Sequence, residues 1–227
     1  MKINGSTALV SGGNRGIGEQ FVKALLDRGA AKVYAAARDP RKVTVPGAIP
    51  LRLDITDPDA VRAAAEQAGD VTLLINNAGI TTGASLLDGA RDDYRREFET
   101  HVLGTLEMGR AFAPVLARNG GGGILNVLSV LSWATMPVAA AYSAAKAAQW
   151  SLTNAWRIAL AGQGTQVTGL HVGFVDTEMS AAVDAPKVAP ADVVRIALDG
   201  FEAGLPEVLA DTVSETVKAA LALPPAA

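Results

Sequence analysis

The chain lacks cysteine and lacks any cluster of basic residues. Without cysteine there are no disulfides, no thiol nucleophiles and no thiolate-held metals, so we predict no metal site. The 20 Lys and Arg residues are scattered along the chain and are balanced by 23 Asp and Glu, which gives a net charge of -3. This pattern leaves no electrostatic footprint for nucleic acid or for an anionic membrane. A small-molecule partner is therefore expected.

Long apolar segments of the secretory or membrane type are also missing. The first five residues, Met1 to Gly5, lack the apolar core of a signal peptide. The stretch 119–145 carries no charge, but Asn126, Ser129 and Ser132 would leave polar groups in lipid. A cytoplasmic protein is therefore expected.

The pattern of apolar runs predicts an α/β fold. At 227 residues and 49% hydrophobic content, residues 1–227 suit a single domain with a substantial core and room for a cleft. Apolar runs alternate with helical patterns, which is typical of a parallel sheet of about seven strands covered by helices on both faces. The predicted strands are residues 7–11, 32–37, 49–54, 71–76, 123–129, 166–172 and 207–209. The predicted helices are residues 16–28, 57–68, 91–118, 141–161, 190–203 and 211–221. Between them, residues 173–189 have weak periodicity and are expected to form a substrate lid.

A glycine-rich segment follows the first predicted strand. Residues 12–18 read Gly-Gly-Asn-Arg-Gly-Ile-Gly and lead directly into an amphipathic helix. A strand, a glycine turn and a helix N-terminus together present backbone N–H groups to a pyrophosphate. The spacing differs from both the Gly-x-Gly-x-x-Gly fingerprint and the P-loop. We predict a nucleotide site that includes Gly12, Asn14, Arg15, Gly16, Ile17 and Gly18.

The end of the second strand predicts which nucleotide is bound. NAD enzymes of this architecture place an acid there for the ribose 2'-hydroxyl, whereas this chain has Arg38. Arg38, helped by Arg15, is suited to a 2'-phosphate. Asp39 is the alternative, because a shift of the turn by one residue would let it take the hydroxyl instead. NADP(H) is expected over NAD(H).

A tyrosine and a lysine four residues apart give the clearest catalytic signal. On a helix, Tyr142 and Lys146 would lie on one face. An ammonium group close to a phenol lowers its pKa, from about 10 by roughly 1 to 3 units. We predict that Lys146 lowers the pKa of Tyr142 in this way, which would make Tyr142 a proton donor near neutral pH. Because the pattern is common in helices, its meaning depends on the rest of the chain.

With these motifs in order, the chain resembles the short-chain dehydrogenase/reductase family from about Ser6 to Met179. Residues 11–18 resemble its cofactor loop, and Asn76–Gly79 match its Asn-Asn-Ala-Gly motif. Ser129, Tyr142 and Lys146 match its catalytic residues in type and spacing, and the thirteen-residue spacing to Tyr142 favours Ser129 over Ser132.

The resemblance implies a Rossmann-type doubly wound sheet and hydride transfer between nicotinamide and a carbonyl or alcohol carbon. In reduction, Tyr142 would donate the proton while the Ser129 hydroxyl holds the substrate oxygen. Lys146 would also bind the nicotinamide ribose. The cofactor contacts that the resemblance adds are Asp54, Ile55, Asn77, Ala78, Gly79, Tyr142, Lys146, Val175 and Thr177.

Two positions depart from the family pattern. His101 stands three residues before Gly104, where the family has the asparagine of its proton relay. His101 is expected on an inward helical face with Tyr94, Phe98 and Thr105. It is either part of a proton relay and hence catalytic, or a core histidine, and the second is favoured slightly. The Pro-Gly turn of the family is Val172-Gly173 here, and the adjacent His171 is expected to be structural.

The sequence therefore predicts an NADP(H)-dependent carbonyl reductase that also runs as an alcohol dehydrogenase. The alternatives are an NAD-dependent alcohol dehydrogenase, an imine or enone reductase, a methyltransferase on a related sheet, and a nucleotide-sensing regulator without catalysis. An apolar substrate is expected from the lid residues Met179, Ala181, Val183 and Pro186. The resemblance also implies a homodimer or homotetramer, because in that family the two long helices, here residues 91–118 and 141–161, pair across a dimer interface. Trp150 and Trp156 are expected either at this interface or in the core.

Overall fold

A computed structural model describes residues 1–224 of the chain. Seven parallel strands form one sheet with the order β3-β2-β1-β4-β5-β6-β7. The strands are β1 (Thr7–Ser11), β2 (Lys32–Ala37), β3 (Ile49–Arg52), β4 (Leu73–Asn76), β5 (Gly123–Val127), β6 (Gln166–His171) and β7 (Glu207–Leu209). The predicted parallel sheet of seven strands is confirmed, and each strand lies within its predicted range.

Helices connect the strands and cover both faces of the sheet. They are α1 (Gly16–Asp27), α2 (Pro58–Gln67), α3 (Arg91–Phe98), α4 (Thr105–Arg118), α5 (Ala140–Ala159), α6 (Pro190–Glu202) and α7 (Thr212–Ala220). A hydrophobic core lies on each face of the sheet, and neighbouring residues of β1 point into different cores. Val10 packs with Phe21 of α1 and Val193 of α6 on one face. Leu9 packs on the other face with Phe112 of α4. The sheet is therefore doubly wound, as predicted.

The strand order reverses between β1 and β4, where both strands run parallel and pair directly. Connections on the two sides of this point leave in opposite directions, which opens a crevice at the carboxyl ends of the strands. The residues that follow β1, β4 and β5 all reach this edge, and it is where the predicted site residues are located.

The predicted continuous helix over residues 91–118 is interrupted by a six-residue segment near its middle. A π-helical segment, Glu99–Gly104, separates α3 from α4. His101 is buried as expected, but Phe98, expected on the same inward face, is exposed, and Glu97 is buried. Short π segments inside helices often occur at functional sites, and this one carries His101.

No helix within residues 1–224 combines the length and the apolarity needed to cross a bilayer. That residues 1–227 form a single domain stays a prediction, and its last three residues lie outside the described part.

Candidate active site

The glycine turn after β1 is fastened to the segment after β4. The backbone N–H groups of Asn77 and Ala78 donate to Ser11 Oγ over 3.0 and 3.1 Å. In return, Asn77 Nδ2 donates to the carbonyl oxygens of Ser11 and Gly12, at 3.0 and 3.3 Å. Two of the predicted motifs are thus held together by side chains within those motifs.

The geometry of the glycine turn requires its glycines. Gly12 and Gly16 have positive φ angles of 67° and 54°. A Cβ on Gly18 would lie 2.0 Å from the carbonyl oxygen of Gly12, so the turn closes only without one. Arg15, the N-cap of α1, makes no side-chain capping hydrogen bond, so no side chain of the cap competes for the first N–H groups of the helix. These features fit a pyrophosphate placed at the helix N-terminus. Asn14 is half-buried and Ile17 packs on the core beneath the turn.

The lid predicted over residues 173–189 lies against the same turn. A parallel bridge joins Val175 to Val188 and closes the segment at its base. The methyl group of Thr177 would lie 3.5 Å from a Cβ on Gly16. Arg15 also forms an ion pair with Glu178 of this segment. The structure therefore brings the two predicted nicotinamide contacts, Val175 and Thr177, beside the glycine turn.

The far end of the crevice is lined by arginines. Arg38, Asp39, Pro40, Arg41 and Arg52 surround a cavity of about 410 Å³. Asp39 accepts hydrogen bonds from Arg41 Nε and Nη2, at 2.9 and 3.1 Å. The hydrogen bonds from this guanidinium hold the Asp39 pKa below its ordinary value. Within residues 1–224 neither Arg38 nor Arg52 forms an ion pair, so both present free guanidinium groups to the cavity.

Arg52 was missed by the sequence reasoning. It is the register partner of Ala37, the residue just before Arg38, on the neighbouring strand. This pairing depends on the strand order, which no local motif contains.

The predicted adenine contacts lie in the turn after β3. Asp54 Oδ1 accepts from the backbone N–H and hydroxyl of Thr56, at 3.0 and 2.8 Å. Ile55 is buried, and its Cδ1 would lie 3.0 Å from a Cβ on Gly104. The turn is therefore held against the π-helical segment next to the crevice.

Ser129, Tyr142 and Lys146 come together at the same edge. Ser129 caps the turn Val130–Ser132 after β5, and its Oγ accepts from Leu131 N at 3.1 Å. Lys146 Nζ lies 5.6 Å from the centroid of the Tyr142 ring on α5. The Ser129 hydroxyl is close enough to the phenol to influence its pKa. The three predicted catalytic side chains are thus neighbours in space.

Burial dominates the electrostatics of this group. It raises the pKa of Tyr142 above its ordinary value, the negative charge of Glu97 raises it further, and the Ser129 hydroxyl acts in the opposite direction. Burial lowers the pKa of Lys146 to about 7, and the charge of Glu97 opposes this. The prediction that the pKa of Tyr142 is brought down toward neutral pH is wrong for this structure, because burial raises it. Desolvation is the largest cause, and the hydrogen bonds of the nearby ammonium go to Val127 and Gln149.

Lys146 is held by a buried polar network. Its Nζ donates to the carbonyl oxygen of Val127 and to Gln149 Oε1, both at 2.8 Å. Gln149 Nε2 donates to Thr105 Oγ1 at 2.9 Å. Gln149 and Thr105 were missed as functional residues, although the spacing of Lys146 and Gln149 places them on neighbouring turns of one helix. This network fixes the ammonium close to the phenol ring.

His101 lies between the catalytic tyrosine and the Asn-Asn-Ala-Gly segment. Its ring packs edge-on against the Tyr142 ring with centroids 5.2 Å apart. A Cβ on Gly79 would lie 2.7 Å from His101 Cε1, so glycine is needed there. His101 Nε2 lies 2.8 Å from the carbonyl oxygen of Ile80, which only accepts, so Nε2 carries the proton. Burial lowers the pKa of His101 below its ordinary value.

Glu97 is a buried carboxylate that the sequence reasoning missed. It is 0% exposed, and its Oε1 accepts from the backbone N–H and hydroxyl of Thr82. Its Oε2 lies 3.2 Å from His101 Nε2. The i, i+4 spacing of Glu97 and His101 was the available signal. Instead, Phe98 was expected on the inward face, and the π-helical segment overturns that expectation.

The two tryptophans of α5 make contacts within the chain. Trp156 covers Gly109, where a Cβ would lie 2.6 Å from its ring. Trp150 Nε1 donates to Glu207 Oε1 at 2.8 Å. Of the two expectations for these side chains, packing inside the chain is the one the structure supports.

The fold and this edge define a Rossmann-type protein with a dinucleotide-binding turn. The short chain dehydrogenase family matches residues 6–187, most of the chain. The protein belongs to this family of oxidoreductases, as the motifs predicted.

Relatives support the assignment over most of the chain. A sorbitol dehydrogenase of Cereibacter sphaeroides is 35% identical over 195 residues, which are 82% of this chain and 76% of that protein. A carbonyl reductase [NADPH] 2 of Sus scrofa is 31% identical over 195 residues, 83% of this chain and 80% of the relative. A short chain dehydrogenase of Burkholderia cenocepacia J2315, solved in complex with NADP, superposes with a TM-score of 0.94 at 40% identity. The superposition covers 98% of this chain and 94% of the Burkholderia chain.

Proposed function

We propose that the protein reduces a ketone or aldehyde to an alcohol, or runs the reverse reaction, with NADP(H). The observation that carries this proposal is the meeting of Ser129, Tyr142 and Lys146 at the edge that also holds the glycine turn and the arginine-lined cavity. Relatives are named as a carbonyl reductase [NADPH] and as a sorbitol dehydrogenase, and the two names correspond to the two directions of such chemistry.

The cofactor, when bound, supplies or accepts the hydride. In reduction, negative charge develops on the carbonyl oxygen, and the Ser129 hydroxyl donates a hydrogen bond to that oxygen. Tyr142 gives its phenolic proton to the same oxygen. The raised pKa of Tyr142 keeps this proton in place until it is needed. Lys146 holds its position through Val127 and Gln149, and its ammonium favours the phenolate that proton transfer leaves behind.

The residues that would hold the cofactor follow the crevice from end to end. The N–H groups at the start of α1 would hold the pyrophosphate, and Arg38 would bind the 2'-phosphate with Arg52 beside it. Asp39 accepts two hydrogen bonds from Arg41, which competes with a 2'-hydroxyl for this carboxylate and favours NADP(H) over NAD(H). A similar protein solved with NADP supports the same choice. The other residues that would contact the cofactor are Asp54, Ile55, Asn77, Ala78, Gly79, Val175 and Thr177.

A turnover screen tests the proposed function. The purified protein is mixed with NADPH or NADH and a panel of apolar ketones, aldehydes and polyol-derived ketoses. We expect NADPH oxidation with at least one carbonyl and a clear preference over NADH. The exposed lid residue Met179 and the exposed Val138 favour the apolar members of the panel. NADPH that stays unoxidised with every carbonyl would contradict the proposal.

We infer that His101 positions the Tyr142 ring and carries no relay proton. Its Nε2 is committed to the carbonyl oxygen of Ile80, and burial lowers its pKa, which favours the neutral ring at and above neutral pH. Lys146, with a pKa of about 7, loses its ammonium as pH rises through that value. We expect kcat/KM for reduction to fall with this loss of charge equally in the wild type and in His101→Asn, as measured by pH-rate profiles. A fall that moves by a pH unit or more in the variant would assign a relay to His101.

We further propose a homo-oligomer formed through the long helices. Phe98 and Leu103 are 38% and 46% exposed on the α3–α4 segment, and Ile158 is 81% exposed on α5. Burying apolar side chains of this size favours association. Light scattering is expected to give a mass of two or four chains. In Ile158→Glu the mass is expected to fall, and a monomeric wild type would contradict the proposal.

A further inference from the structure

Five side chains form a cluster behind the catalytic serine, which we name the Lys218 cluster. Trp133 follows the Val130–Ser132 turn, Trp150 is on α5, and His171 ends β6. Glu207 starts β7 and Lys218 lies in the last turn of α7. The cluster thus joins the C-terminal helix to the segment that carries Ser129.

Lys218 is the centre of the cluster. Its Nζ lies 4.4 Å from the ring centroid of Trp133 and 5.6 Å from that of Trp150. The same Nζ donates to Glu207 Oε2 at 2.6 Å. The other oxygen of Glu207 accepts from Trp150 Nε1 at 2.8 Å. A cation over two indole faces and a shared carboxylate restrict the orientation of both tryptophan rings.

His171 connects this arrangement to Ser129. Its ring stacks on Trp133 at a centroid distance of 3.6 Å and an angle of 16°. Its Nδ1 lies 3.2 Å from the carbonyl oxygen of Ser129, and because that oxygen only accepts, Nδ1 donates. Burial lowers the pKa of His171 below its ordinary value, so the ring is neutral and has a single N–H to give.

The turn that Ser129 caps, Val130–Ser132, is held by hydrogen bonds whose amides can be followed by hydrogen exchange. Ser129 Oγ accepts from Leu131 N, and the amide of Ser132 donates to the Ser129 carbonyl oxygen at 3.0 Å. The amide of Trp133 donates to the carbonyl oxygen of Val130 at 3.1 Å. Loosening of this turn would expose these amides to solvent and move Ser129 Oγ.

We propose that Lys218 is a positioning residue that acts through Trp133 and His171 to hold Ser129 in its working place. The catalytic consequence rests on the proposed function, whereas the ordering of the turn does not. Lys218 touches neither the catalytic side chains nor the glycine turn among the contacts of residues 1–224. Its effect is therefore expected in the turn and in turnover, and not in cofactor binding.

The test compares Lys218→Met with Lys218→Arg, and Glu215→Gln serves as a matched control on the exposed side of α7. Hydrogen–deuterium exchange is measured on peptides that contain residues 130–134. Lys218→Met is expected to exchange about 10-fold faster there, because loss of the cation releases the Trp133 ring. Lys218→Arg keeps a cation for both rings and is expected to exchange like the wild type.

Kinetics provide the second measurement. Lys218→Met is expected to lower kcat about 10-fold with an unchanged KM for NADPH, because a misplaced Ser129 orients the substrate oxygen less well. Unchanged exchange over residues 130–134 in Lys218→Met overturns the proposal, whatever the activity. Faster exchange with an unchanged kcat also overturns it. If the wild type turns over no carbonyl, the proposed function fails, and the exchange result still decides whether Lys218 orders the turn.

A second pair of variants applies if Lys218→Met does not fold. His171→Asn keeps a donor near the Nδ1 position, and His171→Leu removes it. We expect faster exchange over residues 130–134 in the leucine variant than in the asparagine variant. Equal exchange in the two would show that the donor to Ser129 does not order the turn, and would overturn the proposal.

Discussion

Replacing Tyr142 by phenylalanine is expected to lower kcat for carbonyl reduction by about 10²- to 10⁴-fold, the usual size of a positioned proton transfer. The variant removes the phenolic oxygen and keeps the ring that packs against His101 at 5.2 Å. The affinity for NADPH, measured by the fluorescence of the bound nucleotide, should stay within about twofold. Steady-state kinetics at saturating NADPH measures the loss.

The matched control is Tyr34→Phe. The Tyr34 hydroxyl donates to Asp70 Oδ1 at 3.0 Å on strand β2, far from the catalytic edge in the chain's topology. The same chemical change is therefore made without touching the site, and kcat is expected to stay at the wild-type value. A Tyr142→Phe variant that keeps most of its activity would show that another group delivers the proton.

Replacing Arg38 by alanine is expected to weaken NADPH binding by roughly 10- to 100-fold, with little change for NADH. Arg38 forms no ion pair within residues 1–224, so its guanidinium is free for a phosphate. A charge-assisted hydrogen bond contributes about 1.5 to 3 kcal/mol, which corresponds to that change in affinity. Titration of both nucleotides into the variant measures the two affinities.

Two further variants make the cofactor test specific. Arg52→Ala is expected to weaken NADPH binding to a smaller degree, because Arg52 lines the same cavity from the neighbouring strand. Arg195→Ala, on α6, removes an exposed arginine that pairs with Asp192 and Asp199, and should change neither affinity. Equal loss of NADPH and NADH affinity in Arg38→Ala would contradict recognition of a 2'-phosphate.

Local sequence patterns were sufficient for the strands and for the order of the motifs. Buried parallel strands read as short apolar runs, and a glycine that precedes a helix marks the turn. The cradle of Gly12, Gly16 and Gly18 was predicted in this way and found at the carboxyl edge of the sheet. The grouping of Tyr142 and Lys146 followed from helical spacing alone.

The electrostatics of the site could not be read from spacing. A phenol near a cation has a lowered pKa only when the attraction between the cation and the phenolate outweighs the cost of desolvation. That cost depends on burial, which is set by the complete fold. The carboxylate of Glu97, which acts on both Tyr142 and Lys146, became visible only after folding. The inward placement of His101 followed from helical spacing, whereas the π-helical segment, next to which Phe98 is exposed and Glu97 is buried, has no signal in the hydrophobic pattern.

Contacts between distant parts of the chain were the other feature that the sequence could not predict. Arg52 reaches the cavity of Arg38 because β3 pairs with β2. Lys218 reaches Trp133 because α7 packs against the turn after β5. Neither contact could be deduced from a local window, since both depend on the order of strands in the sheet.

The transfer of deuterium from nicotinamide C4 tests the central claim most directly. The protein is incubated with NADPH deuterated at the transferred C4 position and a carbonyl from the screen, and the alcohol is analysed by mass spectrometry. Direct hydride transfer predicts one deuterium on the carbinol carbon of each product molecule, formed in step with NADPH oxidation. An alcohol without deuterium, or NADPH oxidation without an alcohol, would contradict the account.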